Sequence, residues 1–285
     1  MRTLLLALLL MLLSTGSAQA FCRSTTCNPA KESCQLDEIG CKGRGQNLWW
    51  RSSCVGLSVN DRITTNIDQK AVSGALDRAL KRWSNVTCDD GLASFAYGRQ
   101  GTVRCGIGHD KDGPNANVLY FRDDGWPYQG LYDTLGYTTV HYIVATGEII
   151  GADIEINTGK NYITVGDNNV QNDFESIITH ELGHALGLSH SHVALATMRP
   201  SYDLGDTTMR HLVDDDREGA CAIYPPGRET SCDLTPSGGF TDCRDEQPPD
   251  DPGGCQASAG STSFSLASLL ALALTALVRR RRAAC

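Results

Sequence analysis

His180-Glu181-Leu182-Gly183-His184-Ala185-Leu186-Gly187-Leu188-Ser189-His190 is the stretch on which the reading of this chain turns. Phe174, Ile177, Ile178, Leu182, Ala185 and Leu186 recur at helical spacing, which predicts a helix from about Asp173 to Leu186. Residues four apart on a helix stand one turn apart on one face, so His180 and His184 can aim imidazole nitrogens at one metal ion. Glu181 then lies beside the ion rather than on it. His190 would point elsewhere if the helix simply continued. Gly187 permits the positive φ that ends a helix and turns the chain back, which makes His190 the third ligand. Three neutral imidazoles with a fourth position open describe a catalytic zinc site, since structural sites are closed by four protein ligands. In such a site a zinc-bound water has its pKa lowered toward ~7, and Glu181 is the candidate general base that aims it at a peptide carbonyl.

Outward from this stretch, Val72, Ala75, Leu76, Ala79, Leu80 and Trp83 mark an amphipathic helix ending near Asn85, and a third helix is expected from about Asp215 to Ile223. Strand-like runs lie at Asn117 to Arg122, Tyr137 to Val144 and Ile149 to Ile156; the last alternates as Ala152-Asp153-Ile154-Glu155-Ile156-Asn157. Helix, strands, helix, helix is an α+β pattern. One domain is expected over 48–226, preceded by a Cys-rich segment at 21–47 and followed at 227–254 by a linker rich in Pro, Gly and Asp.

The chain has 285 residues, 41% of them hydrophobic and 20% charged, an ordinary globular balance. Residues 1–20 and 255–285 hold five of the 25 basic residues and none of the 33 acidic ones, so the middle is more acidic than the net charge of −8 implies. That disfavours a nucleic-acid partner, which needs a basic face against phosphates. Arg2, the apolar run Leu4 to Leu13 and Ser17-Ala18-Gln19-Ala20 read as a signal peptide at 1–20 with a mature start at Phe21. Ten cysteines lie between Phe21 and Gly254, an even count that in an exported chain reads as disulfides. Closeness in sequence suggests Cys88 with Cys105, while Cys232 and Cys243 are placed to staple the linker.

At the far end, the apolar segment Phe264 to Val278 is followed by Arg279 to Arg282, which hold that end on the cytoplasmic side of a membrane. With Gly254-Cys255 before it, this stretch resembles the C-terminal sorting tails of myxobacterial surface proteins. The resemblance implies a tail at 255–285 that is membrane-inserted before processing, with Cys255 as the sorting residue and delivery to the cell surface. A plain C-terminal membrane anchor is the alternative.

The eleven-residue pattern from His180 to His190 resembles that of the metzincin metallopeptidases, and further residues narrow the resemblance to the matrixin branch. Ser191 directly follows His190; Met198, eight residues past it, resembles the Met-turn beneath the zinc; Pro200-Ser201-Tyr202 matches the matrixin Pro-x-Tyr. Asp215-Asp216-Arg217-Glu218-Gly219 through Ile223-Tyr224 is similar to the last matrixin helix. The resemblance implies a zincin-like domain, a twisted and mostly parallel sheet with an active-site helix and a C-terminal helix. It implies Zn(2+) on His180, His184 and His190, Glu181 as the catalytic base, and Pro200 and Tyr202 walling an S1′ pocket that takes a hydrophobic side chain. By position, the strand at Ile149 to Ile156 would edge the cleft and pair with extended substrate, with Asp153, Glu155 and Asn157 alternating on one face.

Three features depart from the animal matrixins: no Pro-Arg-Cys-Gly latency segment, nothing like a hemopexin domain after Tyr224, and no structural-zinc arrangement among the other histidines. His109, Asp110 and His141 are the candidate donors for a second zinc, and Ca(2+) would suit the acidic loops around Asp110, Asp112, Asp123 and Asp124. The expectation is a secreted or surface-attached zinc endopeptidase acting on extracellular proteins or peptides. The alternative is a catalytically silent, zinc-containing surface binding or adhesion module, against which stands the presence of Glu181, the residue such a module needs least.

Overall fold

The apolar repeats become helices and strands close to the expected bounds. The structure, a computed structural model, describes residues 21–244 apart from 63, 65, 66 and 132. The expected signal peptide, the end of the linker and the sorting tail with Cys255 lie outside the described residues. Among those described, no helix is long and apolar enough to cross a membrane.

Five strands run parallel. Wholly buried β2 (Cys54–Asn60) lies between β5 (Ala96–Val103) and β6 (Val118–Phe121); β6 pairs with β8 (Glu148–Ile156), and β8 with β1 (Trp49–Trp50). The sixth strand, β7 (Gly136–Tyr142), is antiparallel to β8. β3 (Thr87–Cys88) and β4 (Gly91–Leu92) form a small hairpin; β9 (Ile163–Thr164) and β10 (Asn172–Asp173) form a short parallel pair.

Helix α1 (Gln69–Ser84) starts where the Asp68 carboxylate accepts from Lys70 N, satisfying an amide the helix cannot. Its buried face is Val72, Ala75, Leu76, Ala79, Leu80 and Trp83, the set that the spacing predicts. Helix α2 (Phe174–Leu186) is capped by Asp173, which accepts from Ser176 N. The two helices pack together: the buried Trp83 indole donates to Thr179 O at 2.8 Å, and the Tyr97 hydroxyl from β5 donates to Leu182 O. Helix α3 (Asp214–Ile223) opens with three aspartates, which suit the positive end of its dipole. The sheet and three helices give the α+β, zincin-like architecture expected.

Several expectations are corrected. β8 is not at the edge of the cleft. It is flanked by β6 and β1 on one side and β7 on the other, so the exposed edge belongs to β7. Asp153, Glu155 and Asn157 do not face solvent either, because each is buried and bonded. Asp153 accepts from Val118 N and Gly108 N, Glu155 pairs with Arg122 and Tyr128, and Asn157 donates to Thr134 O. Cys88 joins Cys221 rather than Cys105, tying the hairpin to α3. Cys105 joins Cys243, and Cys54 joins Cys232. The segment expected as a linker from residue 227, stapled by Cys232 and Cys243, is instead fastened to the domain through those two cysteines as far as Arg244. Between those bonds Leu234 packs on Gly98 of β5, and Asn115 donates to Ser237 O. The Cys-rich segment at 21–47 is held as expected by disulfides, Cys22 to Cys41 and Cys27 to Cys34.

Candidate metal centre

Helix α2 carries His180 and His184 to one face, and the chain then reverses at Gly187. That residue has φ +109°, and its N–H donates to Gly183 O and His184 O; a Cβ here would also stand 2.8 Å from Leu48 O. The reversal delivers His190. Ring centroids lie 4.6 Å apart for His180 and His184, 4.9 Å for His184 and His190, and 5.4 Å for His180 and His190. One ring nitrogen from each gathers within 4.8 Å of the other two, so the three can share one ion.

The rings are held by backbone. Thr197 O lies 2.7 Å from Nδ1 of His180, and Leu188 O lies 3.0 Å from Nδ1 of His184. A carbonyl partner places the proton on Nδ1 and leaves Nε2 with its lone pair toward the ion. Burial pushes the His180 imidazolium down to about 4 and that of His184 well below the ordinary range, and it lowers His190 as well. Neutral imidazoles are what a metal needs. The donor set and its orientation therefore fit a borderline cation such as zinc.

Glu181 faces the other side of the helix end, toward β7. Its Oε2 accepts from the Thr138 hydroxyl at 2.6 Å, and the same hydroxyl lies 3.1 Å from Glu181 O. Burial raises the carboxyl to about 7, with the Thr138 hydrogen bond opposing. Gly136 leaves room for it, since a Cβ at that position would lie 2.6 Å from Glu181 Oε1. The triad and Glu181 line a cleft of about 780 Å³, bounded by β7 on one side and by Pro200 and Tyr202 on another. The Tyr202 phenol is pinned, accepting from Asp173 N and donating within reach of Gln171 O and Asp206 O.

Met198 is buried under α2, its sulfur against Gly183; a Cβ on that glycine would meet the sulfur at 2.2 Å and Trp83 at 2.9 Å. The buried Asp216 carboxylate at the start of α3 accepts from Thr197 N, Met198 N and Val213 N, and Ser191 donates to Asp215. The matrixin family profile matches residues 49–225.

This chain belongs to the matrixin family. Matrix metalloproteinase-16 of Homo sapiens is 27% identical over 180 residues, 62% of this chain and 27% of that protein. Matrix metalloproteinase-20 of Homo sapiens is 27% identical over 177 residues, 62% of this chain and 32% of the other. Matrilysin of Rattus norvegicus is 30% identical over 175 residues, 61% of this chain and 58% of its own length. The matrixin described here thus spans less than two thirds of the length of these relatives. Membership implies zinc as the metal that His180, His184 and His190 can hold.

Among the described residues that triad is the one converging group of three or more His, Cys, Asp or Glu donors. His109, Asp110 and His141 do not gather in this way. The two rings stack at 5.3 Å, but the Asp110 carboxylate accepts from Asp112 N, and the acid nearest His141 is Asp153, at 3.7 Å. Nor do Asp110, Asp112, Asp123 and Asp124 converge on a common point. Four residues of the site escape sequence reasoning. Thr138 and Gly136 sit about forty positions before Glu181, Thr197 acts through its backbone carbonyl and Asp216 through a carboxylate that accepts main-chain amides; none belongs to a metal-ligand or acid–base pattern.

Proposed function

We propose that this matrixin is an exported zinc-dependent endopeptidase cutting extracellular proteins or peptides, with Glu181 as general base. The observation that carries the reading is the Glu181 carboxyl, buried in the cleft beside three converging imidazoles and held there by Thr138. Zinc on His180, His184 and His190 would polarise the scissile carbonyl and acidify the attacking water. Glu181 takes the proton from that water and later delivers it to the leaving nitrogen, a role that suits a carboxyl raised toward neutrality. An extended substrate adds as a strand to the free edge of β7, taking over the role expected for Ile149 to Ile156. Pro200 and Tyr202 wall the S1′ side, where Ile177 and Met209 offer an apolar lining for a hydrophobic P1′ side chain. Met198 forms the floor under the histidines.

Export is supported by the N-terminal apolar run and by five disulfides, which persist in oxidising compartments. Retention at the cell surface through the tail, with Cys255 as the processing residue, completes the reading. The test is hydrolysis of a quenched peptide with a hydrophobic P1′ residue. Glu181→Ala should lower the rate by a factor on the order of 10² to 10⁴ while retaining zinc, and His184→Ala should lose the metal. Equal hydrolysis by wild type and Glu181→Ala would leave only the silent binding module.

A further inference from the structure

His180 and His184 have their backbone partners close by in sequence or in the neighbouring turn. The stretch that carries His190, the ligand beyond the helix, is instead held by the Cys-rich segment, through Cys22, Ser24 and Asp37. Asp37 builds a turn there: its Oδ1 accepts from Ile39 N at 3.0 Å and from Cys41 N at 2.7 Å, while Gly40 N donates to Asp37 O. The other oxygen of Asp37 lies 2.9 Å from Nε2 of His192.

The same segment grips the chain from the other side. Arg23 bridges antiparallel to Leu188, Ser189 N donates to Cys22 O at 2.8 Å, Ser24 N donates to Gly187 O, and the Ser24 hydroxyl donates to Leu188 O. The stretch from Gly187 to His190 is thus held between a short strand and a turn. The Cys22–Cys41 disulfide joins the two. Residues 35–46 are largely exposed and bury no large apolar side chain of their own. Without a core, the covalent bond must hold the turn in place.

We propose that the disulfide-knotted N-terminal segment is a positioning element of the metal centre: it orients His190, and zinc retention depends on the Cys22–Cys41 bond. The inference rests on the reading that the triad holds zinc. Second partners of ligating imidazoles typically influence metal affinity by about 10- to 100-fold. The test is the rate at which zinc passes to a chromophoric chelator from four proteins: wild type, Cys22→Ser/Cys41→Ser, Asp37→Ala, and Cys27→Ser/Cys34→Ser. The last lacks the other disulfide of the segment, which closes the loop from Cys27 to Cys34 and includes neither Cys22, Ser24 nor Asp37.

The expected result is release about tenfold or more faster in the first double variant and in Asp37→Ala, with the Cys27/Cys34 variant at the wild-type rate. Asp37→Ala leaves every disulfide intact, so it reports even if loss of Cys22–Cys41 prevents folding. Wild-type rates in both the Cys22/Cys41 and Asp37 variants would overturn the proposal, and so would equal acceleration in all three, which would mean general loosening. A His184→Ala protein that keeps as much zinc as wild type would instead remove the underlying reading of the triad.

Discussion

Thr138 and Glu181 meet across the cleft through a single hydroxyl, and the consequence is kinetic. A hydrogen bond to a carboxylate favours its ionised form, so the hydroxyl both aims the base and eases its ionisation. Thr138→Val should lower kcat roughly tenfold, the worth of one such hydrogen bond, with KM little changed, and Thr138→Ser should restore it. Glu181 accepts a proton only when ionised, so kcat/KM should rise with pH through its titration. Burial, opposed by the Thr138 hydrogen bond, raises that carboxyl to about 7, and a dication alongside favours the charged form and moves it lower. In Thr138→Val the acid limb should shift to higher pH than in wild type, which a pH–rate profile would read. At this scale His180, Glu181, His184 and His190 are legible in sequence because helical spacing and one glycine fix their relations locally. Thr138 and Gly136 are not, because each reaches the site from another element and carries no pattern of its own.

Helix α2 is defined as much by its two glycines as by its histidines. Trp83 and Met198 press on Gly183, and Leu48 O presses on Gly187 at the point where the backbone takes its positive φ. Gly187→Ala should destabilise the fold by about 1–3 kcal/mol through strain and the clash, seen as a lower thermal midpoint, and should weaken zinc retention because the turn to His190 is displaced. Helices α1 and α2 are legible because their apolar faces repeat cleanly over two turns or more, whereas α3 buries Asp215, Asp216, Gly219, Ala220 and Ile223 and shows no such repeat. The strands are less legible. β6, β7 and β8 appear as apolar runs, but β5 is broken by Gly98 and Gly101 and shows no alternation. In β8 Asp153 and Glu155 mimic a solvent face, yet main-chain amides and the Arg122 and Tyr128 side chains bond them inside the protein. Pattern alone cannot tell a wet polar face from a bonded one.

At the scale of the domain, the five disulfides among the described residues supply what an acidic, loop-rich chain would otherwise lack in cohesion. Their pairing is illegible in sequence because six of the partners are brought together only by the fold: Cys54 reaches Cys232 across 178 positions, Cys105 reaches Cys243 across 138 and Cys88 reaches Cys221 in α3 across 133. Cys54→Ser/Cys232→Ser should cost about 2–5 kcal/mol in chemical denaturation while leaving zinc bound, since that bond lies away from the histidines. The bond between Cys105 and Cys243 has a mechanical meaning as well. Every ligand and Glu181 fall within the ring of chain that it closes. Tension applied at Arg244 would run through the sulfurs into Cys105, just past the end of β5, bypassing α3 and the cleft, so under the proposed surface attachment the load would not cross the metal centre.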